Sequence, residues 1–352
     1  MRLLDGYIAR AVFFAVLVVL LIVVGLDSVF SFVAELEELE ADYQILQALF
    51  YILLTTPRRI YEFIPISTLI GCLVGLGALA NTSELTVMRA AGVSVMRIVY
   101  AAVKPVLLFV GIALALGQFV VPKTEQFAQS ERSRQIDGSE ALSSRYGYWF
   151  RDEDAYVHIN AIQPNGVLYG VARFKYDHKQ TLVSSDYSER ALFQGDHWVL
   201  FNVNETVLKP YRTLTKRHDS LRWDSEITPD FLSIVALKPD HLSITGLLSY
   251  ARQLSGQGLE SGEYYFAFWK KVLQPVATVV MVFIAISFIF GPLRSVTMGQ
   301  RITAGVVTGL GFNYAQELLG HVSIVFHVSP LIAAGIPIMI CFAVGIYLLK
   351  RI

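Results

Sequence analysis

The chain has 352 residues, of which 54% are hydrophobic and only 16% are charged, and its formal net charge at neutral pH is zero. A soluble domain typically carries about 25% charged residues, so this composition indicates a membrane protein. The balanced charge gives no reason to expect a nucleic-acid partner. The two cysteines, Cys72 and Cys341, both lie in apolar runs, which argues against a disulfide framework.

Six apolar runs are long enough to cross a bilayer, since a spanning helix needs about 20 apolar residues. These runs are Ala11–Ala34, Ile60–Ala80, Ile98–Val121, Phe266–Phe290, Ile302–Val322 and Pro330–Leu349. The first run is longer than the apolar core of a signal peptide, so we expect it to be retained as a span. A shorter run, Ile45–Leu54, is predicted either to lie in the outer interface or to extend the second span.

The basic residues of the short loops predict the orientation, because cytoplasmic loops carry an excess of Lys and Arg. Such residues occur at the start of the chain, in the loops 81–97 and 291–301, and at the C-terminal end. All four segments fall on one side if both termini are cytoplasmic. We therefore expect six transmembrane helices, with the loop 320–329 and the acidic stretch Glu35–Asp42 on the outside.

The polar middle of the chain carries alternating segments of the kind that form β-strands. They are Tyr146–Phe150, Ala155–Ile159, Val167–Tyr176, Thr181–Phe193, His197–Val203 and Glu205–Tyr211. Their even spacing indicates an antiparallel sandwich or barrel on the outer side of the membrane.

This pattern predicts four regions in chain order. Residues 1–121 hold three spans and a short cytoplasmic helix at 82–91, and residues 122–242 form the external β-domain. A helix that begins after Ser243 follows within 243–265, and residues 266–352 hold three more spans.

The cytoplasmic stretch "ANTSELTVMRAAGVSVMRI" predicts that short helix. Asn81 is a suitable N-cap and Glu84 would complete a capping box, while Gly92 is placed to end the helix. Leu85 and Met88 lie on one face by their spacing. The helix either packs on the membrane surface or docks into the groove of a cytoplasmic partner.

Basic residues also occur near the outer ends of the predicted spans, against the usual bias. They are Arg58, Arg59, Arg132, Arg134, Lys270 and Lys271. One interpretation is that they reach lipid phosphates and pair with the nearby acidic stretch. The other is that they surround an outward cavity that holds an anionic, phosphorylated substrate.

Polar residues within the spans are the third unusual feature, since they are costly in lipid and tend to face a cavity or one another. Examples are Asp27, Asn313, Gln316 and Glu317. No P-loop, HExxH, CxxC or GxSxG pattern occurs. The scattered histidines lack paired ligand spacing, so we expect neither a catalytic centre nor a metal site.

Four motifs make the chain resemble the LptF/LptG permease family of lipopolysaccharide export. They are "LDGYIAR", "SELTVMRAAG", "LSITGL" and "FGPLRSVTMG". The resemblance implies a bacterial inner-membrane heterodimer with an LptF-like permease, an LptB-like ATPase dimer and an LptC-like bridge protein. It also implies a periplasmic β-jellyroll domain, lipopolysaccharide as the substrate, and ATP and Mg used only by the ATPase.

The resemblance further assigns roles to the short helix, which becomes the coupling helix that enters a groove of the ATPase. It implies that Glu84 pairs with a basic residue of that partner, with Leu85, Met88 and Arg89 in the same contact. Family members carry lysines near the outer end of the first span, where this chain has Ser31, Glu37 and Glu38. We therefore expect Ser31 to line the cavity and Arg58 and Arg59 to carry more of the phosphate contact.

Two other functions are kept open by the residues themselves. A permease of a lipoprotein-releasing ABC exporter also joins spans to an external domain and borrows an ATPase, although such subunits usually have four spans. A membrane scaffold or sensor would not need a capped docking helix.

Overall fold

The computed structural model describes residues 2–37, 44–136, 142–152, 155–162, 167–177, 181–209, 211–225, 227–229, 232, 238–256, 260–291 and 296–350. The chain divides into two compact units. The first comprises Met1–Val33, Thr56–Val121 and Ser243–Ile352, and the second comprises Ala34–Thr55 and Pro122–Leu242.

Nine α-helices are found in the described residues. They are α1 (Arg2–Leu36), α2 (Ile45–Asn81), α3 (Glu84–Ala90), α4 (Val95–Ala115), α5 (Val121–Ile136), α6 (Ile244–Gly256), α7 (Gly262–Phe290), α8 (Met298–Val325) and α9 (Pro330–Lys350). A π-helical segment, Leu116–Val120, joins α4 to α5. The run Ile45–Leu54 belongs to α2, so it extends the second predicted span.

Five stretches of helix within the described residues are long and apolar enough to cross a membrane: Leu3–Leu36, Ile45–Asn81, Val95–Arg132, Gly262–Phe290 and Pro330–Lys350. The remaining predicted span, Ile302–Val322, lies within the 28-residue helix α8, whose composition is less apolar. Glycines and the polar residues Asn313, Gln316 and Glu317 lower its hydropathy. A sixth crossing by α8 therefore stays a prediction.

Two prolines lie inside α2. One of them leaves a backbone carbonyl without its usual helical donor, and a neighbouring helix supplies a donor instead. Pro65 has no N–H to donate to the carbonyl of Tyr61, four residues earlier. Gln274 of α7 donates its side-chain amide to that carbonyl at 3.1 Å. In hydrocarbon every backbone group needs an internal partner, so this contact fixes α7 against the interrupted turn of α2.

Tyr61 also contacts the π-helical segment between α4 and α5. A Cβ added to Gly117 would lie 2.7 Å from Cε2 of the Tyr61 ring, so only glycine allows the two helices to approach this closely. The Tyr61 ring also contacts α7, because Nζ of Lys271 lies 5.1 Å from the ring centroid. Lys271 is only 4% exposed. Tyr61 therefore joins three helices of the first unit.

The second unit contains a six-stranded antiparallel sheet. Its strands are β1 (Leu142–Asp152), β2 (Ala155–Ile162), β3 (Val167–Tyr176), β4 (Leu182–Phe193), β5 (Trp198–Lys209) and β6 (Arg212–Trp223), and each pairs with the next in order. The predicted antiparallel β-domain is confirmed. The described strands form one sheet, and its jellyroll arrangement stays a prediction.

The sequence-based strand boundaries were wrong at one end of the sheet. The segment Glu205–Tyr211 is not a separate strand, because β5 continues through it to Lys209. The last strand among the described residues, β6, has mostly exposed side chains and no apolar alternation that could have indicated it. It pairs with β5 from Trp223 opposite Trp198 to Arg212 opposite Lys209.

The sheet contributes a buried core to the second unit. Its fully buried side chains include those of Val157, Ile159, Leu168, Trp198 and Leu200. The indole N–H of Trp198 donates to the carbonyl of Ile227 at 2.7 Å, which satisfies the one polar group of the ring. Arg173 and Asp186 pair within this core through two hydrogen bonds of 2.8 and 3.0 Å.

Candidate functional site

The short helix α3 begins differently from the prediction. Asn81 is the last residue of α2, and Ser83 occupies the N-cap position with a left-handed backbone, φ 61°, and no side-chain cap. The predicted capping box of Asn81 and Glu84 is therefore wrong. The physical reason is that Asn81 is still part of α2, where its Oδ1 accepts a hydrogen bond from Arg301 at 2.9 Å instead of capping α3.

The end of α3 follows the prediction. Gly92 adopts φ +86°, which suits glycine because it has no Cβ. The N–H of Gly92 donates to Arg89 and the N–H of Val93 donates to Met88, both at 3.0 Å. These two bonds form a Schellman motif, which turns the chain sharply towards α4.

The two faces of α3 have different roles. Leu85 is 2% exposed and Met88 is 9% exposed, and both belong to the hydrophobic core of the first unit. Val87 is 66% exposed, and Arg89 is also exposed. The predicted apolar ridge of Leu85 and Met88 thus holds α3 on its own chain, and the side that a partner can reach carries Val87 and Arg89.

Glu84 lies half-buried at the start of α3, where its carboxylate accepts a hydrogen bond from the Thr82 hydroxyl at 2.9 Å. The Tyr7 hydroxyl of α1 is a second partner of this carboxylate. Near the same end of α1, Asp5 accepts two bonds from the guanidinium of Arg97 at 2.9 and 3.2 Å. Arg97, predicted as an orientation marker, therefore also ties the first turn of α4 to α1.

The sequence placed Arg59 among the phosphate contacts and Asp27 and Ser31 along a cavity, but the structure joins the three. Nη1 of Arg59 donates to a carboxylate oxygen of Asp27 and, at 2.6 Å, to the hydroxyl of Ser31. Arg59 is only 4% exposed. This guanidinium is held by α1, and its phosphate contact stays a prediction.

The other predicted basic residues differ in how strongly the chain holds them. Arg58 is part-exposed and forms a pair with Glu62 at 3.4 Å. Arg132 pairs with Glu35 and lies 5.6 Å from the ring centre of Tyr51. Pairing with the acidic stretch, one of the two sequence interpretations, is thus observed for Arg132.

Lys270 is half-buried, and the ammonium of Lys271 lies over the Tyr61 ring. The side chain of Arg134 and the residue Glu38 lie outside the described part of the chain, so their predicted roles are not addressed. Glu37 is exposed at the end of α1.

The polar residues of the predicted span Ile302–Val322 are divided between two environments. Gln316 is 5% exposed and faces the interior of the first unit. Asn313 and Glu317 are exposed, beside large apolar side chains such as Tyr314 and Leu318. Asn313 and Glu317 are therefore the two that a partner or a cavity can reach.

The sequence did not predict two contacts in this region. They are the hydrogen bond of Gln274 to the backbone of Tyr61 and that of Arg301 to the end of α2. A proline four residues after an apolar tyrosine signals a freed carbonyl, but it does not say which helix supplies the donor. Among the described residues, no three His, Cys, Asp or Glu side chains cluster closely enough to hold a metal ion.

Long apolar helices on either side of an inserted antiparallel β-domain define a multi-pass membrane protein with an extramembranous sheet. The sequence matches the family described as lipopolysaccharide export system permease LptF/LptG over residues 6–351. It is 35% identical over 352 residues to lipopolysaccharide export system permease protein LptG of Escherichia coli strain K12, covering 99% of this chain and 98% of that protein. It is 34% identical over 351 residues to the protein of the same name from Haemophilus influenzae, with the same coverage. The chain belongs to the LptF/LptG permease family, and the resemblance carried by the four motifs is confirmed.

Proposed function

We propose that this chain is a permease subunit of ATP-driven lipopolysaccharide export in the bacterial inner membrane, of the LptG type. The observation that carries the proposal is the family match across residues 6–351, which includes the membrane helices, α3 and the β-domain together. Both relatives named above are lipopolysaccharide export permeases, which favours this substrate over the lipoprotein alternative.

In this function the chain spans the membrane six times, with α8 as the sixth crossing and both termini in the cytoplasm. Five crossings would leave the two termini on opposite sides, whereas the basic residues near both ends favour the same side. The β-domain, jellyroll-like as in the family, then lies in the periplasm. It receives the lipid and passes it towards an LptC-like bridge protein.

The chain contributes motion and binding rather than nucleotide chemistry, since ATP and Mg belong to an LptB-like ATPase dimer. An LptF-like permease forms the other wall of the cavity. The short helix α3 is suited to receive the force, because its buried face is anchored in the core and its other face is exposed. Movement of α3 is then passed to the helices that border the substrate.

Purification of the complex from native membranes tests the assignment. A tagged full-length chain should retain a second permease, an ATPase and lipopolysaccharide, each identified by mass spectrometry. Recovery with an ATPase and a lipoprotein, but no lipopolysaccharide, would support the lipoprotein-releasing alternative. Recovery without any ATPase would favour a scaffold or sensor.

Replacing Glu84 with Ala tests the docking role of α3. The variant should lose at least part of its ATPase during purification, because an ion pair to the partner would be removed. Thr86→Ala, at an exposed position of the same helix, is the matched control and should retain the ATPase. Equal recovery of the ATPase with the Glu84→Ala variant and with wild type would remove Glu84 from the contact.

A further inference from the structure

Arg301 is a buried cation in a segment that the sequence predicts to be a cytoplasmic loop. Its side chain is only 1% exposed. Nη1 donates to the backbone carbonyl of Gly77 and to Oδ1 of Asn81, both at 2.9 Å. Burying a guanidinium is costly unless hydrogen bonds satisfy it, so this position calls for a specific explanation beyond orientation in the membrane.

The explanation lies at the C-terminal end of α2, which has no basic residue in its own last turn. The carbonyls at the end of a helix carry partial negative charge, and a cation there is stabilising. Arg301 lies in the first turn of α8, where the macrodipole of its own helix disfavours a cation. Its placement therefore serves α2 rather than α8.

The start of α8 is built to hold this arginine in position. Thr297 and Gln300 form a capping box, in which the Thr297 side chain accepts from the Gln300 backbone and the Gln300 side chain accepts from the Thr297 backbone. This reciprocal cap fixes the first turn of the helix. Arg301 follows immediately and projects from a defined backbone.

Glycines allow α2 and α8 to approach each other closely. A Cβ on Gly77 would lie 3.0 Å from Nη1 of Arg301. Farther along α8, a Cβ on Gly305 would lie 2.7 Å from Leu73, and one on Gly309 would lie 2.5 Å from Ile66. Positions 301, 305 and 309 recur every four residues, so one face of α8 lies against α2.

This contact ends directly beside α3. Only Thr82 and Ser83 separate Asn81, the last residue of α2, from Glu84, the first residue of α3. Close-packed interiors transmit displacement, and a two-residue connection leaves little slack. We propose that Arg301 is the positioning residue that ties the coupling helix α3, through the end of α2, to α8. The proposal rests on the proposed function, because it needs a partner that moves α3.

The contact of Arg301 with α2 bears on how ATP hydrolysis is coupled to movement of the substrate. α8 carries the exposed polar residues Asn313 and Glu317. With Arg301 in place, displacement of α3 moves α8 and these side chains. Without it, the ATPase still docks on α3 and hydrolyses ATP, but α8 no longer follows.

The test uses the full chain purified with its partner permease and ATPase and reconstituted in liposomes that contain lipopolysaccharide. ATP hydrolysis and ATP-dependent lipopolysaccharide release are both measured. In Arg301→Met the amount released per ATP should fall about tenfold, within the usual range of coupling between distant sites. Hydrolysis itself should stay within about twofold of wild type, since the ATPase site is in another chain.

Two further variants separate positioning from a purely structural role. Gly77→Ala keeps the arginine but places a Cβ 3.0 Å from its Nη1, so the guanidinium must shift. This variant should also lower release per ATP. Gly111→Ala, where a Cβ meets nothing within 4 Å, is its matched control and should behave as wild type. Arg301→Lys keeps a donor but loses the planar fork, and should recover part of the release.

Wild-type release per ATP in both Arg301→Met and Gly77→Ala would overturn the proposal. So would a proportional loss of hydrolysis and release, or failure of Arg301→Met, Arg301→Lys and Gly77→Ala to assemble, since each outcome indicates a structural role alone. Absence of lipopolysaccharide release by an active wild-type complex would instead overturn the proposed function.

Discussion

At the scale of single residues, this chain holds many of its buried charges by contacts between helices. Arg59 reaches Asp27 and Ser31 of α1, and Arg301 reaches the end of α2. Leaving one partner of such a contact alone is expensive, because the remaining charge cannot return to water. These arginines are therefore bound to the chain itself, whereas a residue that contacts a substrate phosphate must be able to change partners.

Arg58 meets that requirement better than its neighbour Arg59. Arg58 is part-exposed, whereas Arg59 is only 4% exposed, so a phosphate from outside the chain reaches Arg58 more readily. We expect Arg58→Glu to reduce photocrosslinking to lipopolysaccharide in the cavity without loss of protein yield. The crosslinked fraction, measured on membranes, gives the result.

Arg59→Glu is the informative comparison, because it places a second acid against Asp27 and should lower the yield of folded protein. Arg212→Glu, on the exposed strand β6, is the matched control and should leave crosslinking unchanged. Unchanged crosslinking in Arg58→Glu would remove Arg58 from the substrate site.

At the scale of elements, the sequence predicts long apolar helices well, because an uninterrupted apolar run has few alternatives in lipid. It also predicts the end of α3, since Gly92 is required by a positive φ. It fails at the start of α3, because Asn81 has two possible uses and only the tertiary structure supplies Arg301. It fails at β6, because an edge strand with two exposed faces lacks the alternation that indicates strands.

Prediction of the candidate site residues has the same limit, because their partners are set by tertiary structure. Residue types indicated which side chains are unusual for a membrane protein, namely Asp27, Arg59 and Gln316. They could not indicate that Asp27 and Arg59 bind each other, because that contact joins residues 32 positions apart on two helices. Pairing between helices depends on packing, which no single apolar pattern records.

The contact of Gln274 with the turn that Pro65 interrupts gives a prediction for α2. Gln274→Leu should lower the stability of the detergent-purified protein by about 1–3 kcal/mol, because the Tyr61 carbonyl loses this donor. Pro65→Ala restores an N–H that can bond the same carbonyl within the helix. The double variant should therefore be more stable than Gln274→Leu alone, as measured by thermal unfolding.

This double-mutant cycle has a clear contradictory outcome. If the effects of Gln274→Leu and Pro65→Ala simply add, the two residues do not serve the same carbonyl. Gln129→Leu, which removes an amide from α5 in the second unit, controls for a general sensitivity to loss of glutamine.

At the scale of the whole molecule, the topology depends on α8. In a background with Cys72→Ala and Cys341→Ala, we expect His327→Cys to react with an impermeant maleimide from the periplasmic side. Thr86→Cys, on α3, should react only after the membrane is opened. Both positions are exposed in the structure, so access to the reagent is limited by the membrane alone.

Labelling of both cysteines from the same side would mean that the chain crosses the membrane an even number of times between them. In the six-span topology the chain crosses the membrane between these two positions through α4, α7 and α8. The last helix, α9, follows His327. Such a result would contradict six spans and would require the two termini to lie on opposite sides.

At the same scale, the proposed function is the conversion of ATP hydrolysis by a partner ATPase into extraction of lipopolysaccharide. The most direct test is release of lipopolysaccharide from proteoliposomes that contain the purified complex, measured as transfer to an added soluble acceptor of the glycolipid. We predict release that requires ATP and is lost when this chain is omitted. ATP hydrolysis with no lipopolysaccharide release, or equal release without this chain, would contradict the account.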